Sequence, residues 1–263
     1  MKSVIAVIAA VCELNASAAL AQSPDTGELM RRVGAYTQRF VDTFTNVVAE
    51  ERYDQRFVSN NRRRRLTSDF LLVAVPGSTN QFMTFRDVRE VDGTPVADQQ
   101  ERITQLFLQP YANALKRAQE IQRDGLRHNL PPGRLVDPLT LLAFLQLAYQ
   151  KNFRFTRQGL EPTLGADIRK IDIVRSGPPS RNQMRGSVWA SEATGEVVKT
   201  QLRVGPAGSE TTTTTFALDP RLQIRVPVEM RDETGGFIGS AAYSNFRRFS
   251  VRTESVVEEP APK

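Results

Sequence analysis

"RLQIRVPVEM", residues 221–230, alternates apolar and polar side chains without interruption. Leu222, Ile224, Val226, Val228 and Met230 fall on one side and Arg221, Gln223, Arg225 and Glu229 on the other, the period of two that a half-buried strand requires. Pro227 has no N–H to give to a ladder, which places it at a sheet edge or in a bulge. One dry face and one wet face point to an antiparallel sheet, because parallel sheets bury both.

The surrounding text repeats this pattern. "QMRGSVWAS" (183–191) and "EVVKTQLRV" (196–204) flank Ala193-Thr194-Gly195 as a hairpin, with Val198, Thr200, Leu202 and Val204 pointing one way. "ETTTTTFALDP" (210–220) adds a threonine-rich strand, and "FIGSAAYSNFRRFSV" (237–251) ends the run. Tyr243, Phe246 and Phe249 do not share one parity, which predicts a bulge near Ser244-Asn245. Nearer the N-terminus, "SDFLLVAV" (68–75) stops at Pro76-Gly77 and "QFMTFRDVREV" (81–91) at Asp92-Gly93, a second hairpin.

Helical periods occupy the rest. Residues 26–50 carry Leu29, Val33, Tyr36, Phe40, Phe44 and Val47 at spacings of four and three, an amphipathic stripe, with Asp25 or Thr26 as cap. Residues 99–129 hold two helical segments divided near Pro110. Asp137-Pro138 caps a further helix, "LTLLAFLQLAYQ" (139–150), which is apolar nearly all round and too short to cross a bilayer, so it is expected to plug a core.

The first 21 residues read as a secretory signal: Lys2, an apolar run from Val4 to Val11, and Ala19-Leu20-Ala21 before Gln22. Cys12, the only cysteine, falls inside it; the soluble layout is preferred to lipidation there because Val11 is a poor neighbour for a lipidation site. The expected organisation is a signal over 1–21, one domain over 22–253 and a disordered tail over 254–263, with the chain periplasmic or secreted.

The formal charge is +6, and "NNRRRRL" (60–66) concentrates it in Arg62, Arg63, Arg64 and Arg65. Outside the cytoplasm such a loop meets anionic head groups, which attract each Lys or Arg by about 1 kcal/mol. Nucleic acid is not expected as partner, because no aromatic residues interleave with the arginines. Catalytic chemistry is sparse. His128 is the sole histidine, no G-x-S-x-G surrounds a serine, and no cofactor or metal motif occurs. A carboxylate-paired hydrolase is conceivable, but Glu50, Glu51, Asp87, Glu90 and Asp92 are read more simply as balancing Arg52, Arg86 and Arg89. A non-enzymatic protein is expected.

The order of parts, together with "GSVWASEATGEVVKTQLRV" (186–204), "VPVEM" (226–230) and "GSAAYSNFRRFSV" (239–251), resembles the LolA-like and RseB-like periplasmic carriers and sensors of bacterial lipoproteins. "VVAEERY", "SDFLLV" and "FRDVREVDGTPV", between 47 and 96, look like uncharacterised exported bacterial proteins. The resemblance implies an α+β fold: a strongly curved antiparallel sheet, a half-barrel, with helices plugging its concave face. Phe40, Phe44, Leu142, Leu145, Leu222, Ile224 and Val226 are then expected to line a space for a lipid, acyl chain or other apolar ligand, and Arg62 to Arg65 to contact an anionic head group. The alternative is an envelope interaction module that binds another protein by its sheet edge or its basic loop.

Overall fold

Among the described residues, the alternation at 221–230 belongs to a single antiparallel sheet of eleven strands. The computed structural model describes residues 24–248 except 46, 75–81, 97–101, 103–110, 135, 179 and 181–182; the expected signal, Cys12, the first half of the 99–129 helical region and the tail lie outside the described residues. Helix α1 (Pro24–Phe44) precedes β1 (Val47–Phe57), β2 (Arg63–Ala74), β3 (Phe82–Val91) and the two-residue β4 (Thr94–Pro95). Helices α2 (Tyr111–Arg127), α3 (Thr140–Phe144) and α4 (Leu147–Gln150) follow. The chain then runs through β5 (Phe153–Leu160), β6 (Ile168–Arg175), β7 (Arg185–Ser191), β8 (Val197–Val204), β9 (Glu210–Asp219), β10 (Ile224–Thr234) and β11 (Phe237–Arg248).

The strand order is β4-β3-β2-β1-β11-β10-β9-β8-β7-β6-β5, so every neighbour is also a sequence neighbour except β1 and β11, which join the two ends of the chain. The sheet does not close: β4 and β5 are its two edges, and the helical segment lies between them in sequence. It must also bend. Arg86 on β3 bonds the carbonyl of Val136, and Leu141 packs against Gly186 on β7. A flat sheet would hold those strands about 34 Å apart at ~4.8 Å per strand, while five residues of chain reach at most about 18 Å.

Local chemistry accounts for the turns. Asp92 and Gly93 both take positive φ, 53° and 82°, the type I′ geometry that Asp-Gly serves. The bulge foreseen at Pro227 lies between Pro227 and Glu229, where the β9–β10 register shifts. The bulge foreseen near Ser244-Asn245 is found where β11 slips against Val48 and Glu50, with Asn245 at φ 50°. It restores the inward direction, so Tyr243 and Phe246 are both buried.

Several sequence expectations need correction. The first helix ends at Phe44 and not at residue 50; Val47–Phe57 is β1, a central strand. Strand β10 starts at Ile224, because Gln223 turns to φ 58°, although Leu222 is still buried. Strands β5 and β6 complete the sheet beyond the hairpin of β7 and β8. Val198 does not share a face with Thr200: the register shift between Trp189 and Ala190 turns it into a small cluster with Ile168 and Trp189. The expected helix over 139–150 is two short helices, broken at Gln146 with ψ 142°. Leu139, Leu141, Leu142 and Leu145 are buried, whereas Leu147 is 56% exposed.

Each sheet edge meets a different fate. Helix α2 lies along β3, where Gln122 Nε2 donates to the Thr84 carbonyl at 2.8 Å and Gly125 sits so close to the Arg86 carbonyl that a Cβ would stand 2.7 Å from it. Ala118 and Ile121 of α2 pack with Val48, Leu71 and Phe85. An edge covered in this way cannot template another strand. Among the described residues β5 pairs only with β6.

Candidate functional site

The seven predicted lining residues meet. Phe40, Phe44, Leu142, Leu145, Leu222, Ile224 and Val226 belong to one buried cluster that reaches from Phe70 on β2 to Phe153 on β5. Phe40 and Phe44 stack at 5.1 Å, one helical turn apart, and Phe44 meets Phe70 and Phe246 edge-on or tilted at 6.4 and 6.2 Å. Helix α1 therefore lays its apolar stripe along the concave face. Its approach is closest at the β7–β8 turn, where Gly195 (φ 73°) would place a Cβ 2.3 Å from the Arg32 backbone carbon. The helix start is held by ions: Arg157 on β5 pairs with Asp25 and with Glu192, and Arg169 donates to Glu192 at 2.8 Å. Those hydrogen bonds from Arg169 and Arg157 bring the Glu192 carboxyl down to about 2.

One part of the concave face is polar. Glu51, Gln55, Asp232 and Arg86 all point inward and are all buried. They hold the loop 129–138. Arg86 donates Nε to Glu51 and Nη1 to the Val136 carbonyl at 2.7 Å, with its guanidinium 5.2 Å from the Tyr53 ring. Arg134 clamps Asp232 through Nε and Nη2 at 3.0 and 2.9 Å and reaches Glu210 at 3.0 Å. Gln55 donates to Asn129 at 3.0 Å and accepts from Leu130 N–H at 2.6 Å. Burial raises Tyr53 and Tyr243 well above the usual phenol range. The loop leads directly into α3, whose entry Asp137 caps by accepting the Leu139 N–H at 2.8 Å. Thr214 on β9 adds a bond to the Pro138 carbonyl at 3.0 Å.

The four arginines are divided by the sheet. The expectation of a loop holds for Arg62 alone, because β2 begins at Arg63. Alternation then sends Arg63 and Arg65 to the outer face and Arg64 inward, where it is half-buried and donates to the His128 carbonyl at 2.9 Å. Arg65 pairs with Asp54 at 2.7 Å. Arg63 and Arg65 line an outer cleft of about 680 Å³ together with Arg52, Arg56, Asp54, Glu90 and Asp92. The lining residues and this cleft lie on opposite faces of the sheet. His128 thus contributes a backbone carbonyl.

Most of the carboxylates are held by arginines. Glu51 pairs with Arg86, Glu50 with Arg89 at 3.4 Å, and Asp69 with Arg247 at 3.0 Å. Asp87 is 2% exposed, and burial, opposed by Arg102 at 3.8 Å, pushes its carboxyl up to about 6. Its folded pKa is raised above the unfolded value. Its contribution to stability is therefore greatest below about pH 4, declines as pH rises toward 6 while only the unfolded chain releases its proton, and is level above that. Urea unfolding followed from pH 4 to 7 should show a declining component, on the order of 2 kcal/mol, that Asp87→Asn removes.

No family model and no curated protein matches the chain. Solved structures do. The chain is similar to a DUF1329 family protein from Desulfovibrio piger, at 11% identity over 85% of this chain and 93% of that one, with a TM-score of 0.41. It is similar to a putative outer membrane lipoprotein-sorting protein domain from Vibrio parahaemolyticus, at 10% identity over 84% and 95% of the two chains, TM-score 0.41. A LolA superfamily protein from Nitrosomonas europaea gives 9% identity over 85% and 94%, TM-score 0.40. Among the described residues no helix is long and apolar enough to cross a membrane.

Proposed function

We propose that the protein is an exported, non-enzymatic carrier that takes a lipid, acyl chain or other apolar ligand between its sheet and its helices. The observation that carries this reading is the roof. Beside the buried polar group of Glu51, Gln55, Arg86 and Asp232, the concave face carries one continuous apolar cluster, and α1 and the short α3 and α4 cover it in place of further strand pairing among the described residues. Helices held to a sheet by side chains move at far less cost than a ladder of backbone hydrogen bonds opens. The polar attachments of the roof to the sheet are made by side chains, Arg86 to Val136 and Thr214 to Pro138 among them, while Gln150 Nε2 ties α4 to the Met30 carbonyl of α1 at 2.8 Å. Lifting α3 and α4 would uncover Leu142 and Leu145 opposite Phe40 and Phe44, an apolar slot between two helices and a sheet. Sites for apolar ligands have this character, with a few polar groups at the margin.

The test is extraction of the protein purified from its native envelope, followed by mass spectrometry, and titration with a fluorescent fatty acid. A bound lipid, or saturable uptake that Leu142→Asp abolishes, is expected. Repeated absence of both would remove the reading. A second reading, an interaction module of the envelope, is favoured by the β5 edge, which among the described residues pairs only with β6. Its signature would be a co-purifying envelope protein in place of a lipid.

A further inference from the structure

The outer face of the sheet carries an arrangement that folding alone disfavours. Arg56 on β1 stands directly opposite Arg63 on β2, and like charges in that position repel. Neither has a carboxylate partner among the described residues: Arg56 makes no ion pair, and Arg63 reaches only Asn61 Oδ1 at 3.2 Å. Arg52, four residues back along β1, has no ion pair among the described residues either. Some outer-face arginines are answered, as Arg65 is by Asp54 at 2.7 Å and Arg231 by Glu233 at 2.6 Å, whereas Arg185 on β7 and Arg203 on β8 also stand opposite each other without an ion pair among the described residues. Three unanswered ones, Arg52, Arg56 and Arg63, line the 680 Å³ cleft with Arg65 against Asp54, Glu90 and Asp92.

The same end of the sheet holds an exposed apolar tip. Val58, in the turn after β1, is 59% exposed, more than any other large hydrophobic residue described. The turn is held firmly. Phe57 N–H bonds the Arg62 carbonyl at 2.9 Å, Val58 N–H bonds the Gly236 carbonyl of the adjacent β10–β11 turn at 2.8 Å, and Asn60 Oδ1 accepts the Arg62 N–H at 3.1 Å. Asn61 takes φ 53°, and the Phe57 and Phe237 rings meet edge to face at 5.6 Å beneath the tip. A valine is thus presented to solvent on two interlocked turns, between Arg56 on one side and Arg62 and Arg63 on the other.

We propose that this tip docks the protein onto an anionic lipid surface, with Arg52, Arg56, Arg62 and Arg63 on the head groups and Val58 entering the interface. A free anion would use the guanidinium groups and leave the protruding valine without a role; a charged bilayer uses both, since polybasic segments and apolar side chains add at its surface. The site is separate from the concave lining and does not depend on what that lining holds.

Flotation with phosphatidylglycerol–phosphatidylcholine vesicles, at low salt and at 0.5 M salt, tests it. The wild-type chain should float with the anionic vesicles at low salt and be released by salt, because exposed charges are screened. Arg56→Ser with Arg63→Ser should weaken binding about 30-fold, at ~1 kcal/mol per arginine, without lowering the melting temperature, since the substitutions remove a repulsion. Val58→Ser should weaken it several-fold, and fluorescent fatty-acid uptake should be unchanged in both variants. The proposal fails if the wild type does not float, if it floats equally with pure phosphatidylcholine, or if the double variant binds as the wild type does. It also fails if millimolar inorganic phosphate competes while Val58→Ser has no effect, which would leave a plain anion site. Loss of fatty-acid uptake with vesicle binding intact would count against the carrier reading only.

Discussion

Replacing Arg86 by methionine is expected to lower the free energy of unfolding by about 3–5 kcal/mol, the loss that follows when one partner of a buried ion pair is removed. Glu51 is fully buried beneath it, and the pair sits on the concave side of β1 and β3. Without the guanidinium, Glu51 is left with an unanswered charge out of water. The Val136 carbonyl loses its donor in the same step, so the loop before α3 loosens as the sheet weakens. Glu51→Leu combined with Arg86→Met should recover most of the loss, because replacing a whole buried pair by apolar groups is often neutral. Urea unfolding of the two single variants and the double variant measures the coupling. A single-variant loss below about 1 kcal/mol, the usual size for an exposed pair, would show that the pair is solvated and the concave face more open than described.

That pair also explains why β1 was hard to see. In "VVAEERYDQRF" the inward positions are Val47, Ala49, Glu51, Tyr53 and Gln55. Two of the five are polar, so the apolar alternation that betrays β10 is missing, and Val47 falls in step with the stripe of the preceding helix. The polar choices make sense only in three dimensions, where Arg86 on β3 answers Glu51, and Asn129 and Leu130, more than seventy residues away, meet Gln55. The four arginines misled for a related reason: a charge run looks like a loop, but Arg63 and Arg65 tolerate a strand because its outer face is wet. The break at Gln146 has no local signal in "LTLLAFLQLAYQ", since no Gly or Pro marks it. The features that were legible are those written locally. Asp92-Gly93, Ala193-Thr194-Gly195, the bulges at Pro227 and at Asn245, and the helical stripe from Leu29 to Phe44 each depend on a few adjacent residues. The candidate lining was legible for the same reason, because apolar periodicity names the buried face without needing to know what covers it.

Gly195 gives the second large effect. Its φ of 73° already favours glycine, and an alanine Cβ would lie 2.3 Å from the Arg32 carbon and 2.6 Å from the Val33 nitrogen, backbone atoms of α1 that have no flexible end to move. Gly195→Ala is therefore expected to cost about 1–2 kcal/mol for the left-handed backbone and a further 1–3 kcal/mol for the overlap, for a total of about 2–5 kcal/mol. Gly93→Ala supplies the control. It has nearly the same φ, 82°, with no atom within 4 Å of the added carbon, so it should show the backbone cost alone. The difference between the two in urea unfolding isolates the contact of the β7–β8 turn with α1. A functional consequence accompanies it. The overlap is relieved by lifting α1 from the turn, which uncovers Leu29, Met30 and Val33, all buried against the concave face. In the carrier reading such a variant should take up fluorescent fatty acid faster than the wild type even as it unfolds more easily. If it unfolds more easily and uptake slows or stays the same, α1 is a fixed part of the core, and the movable roof is confined to α3 and α4.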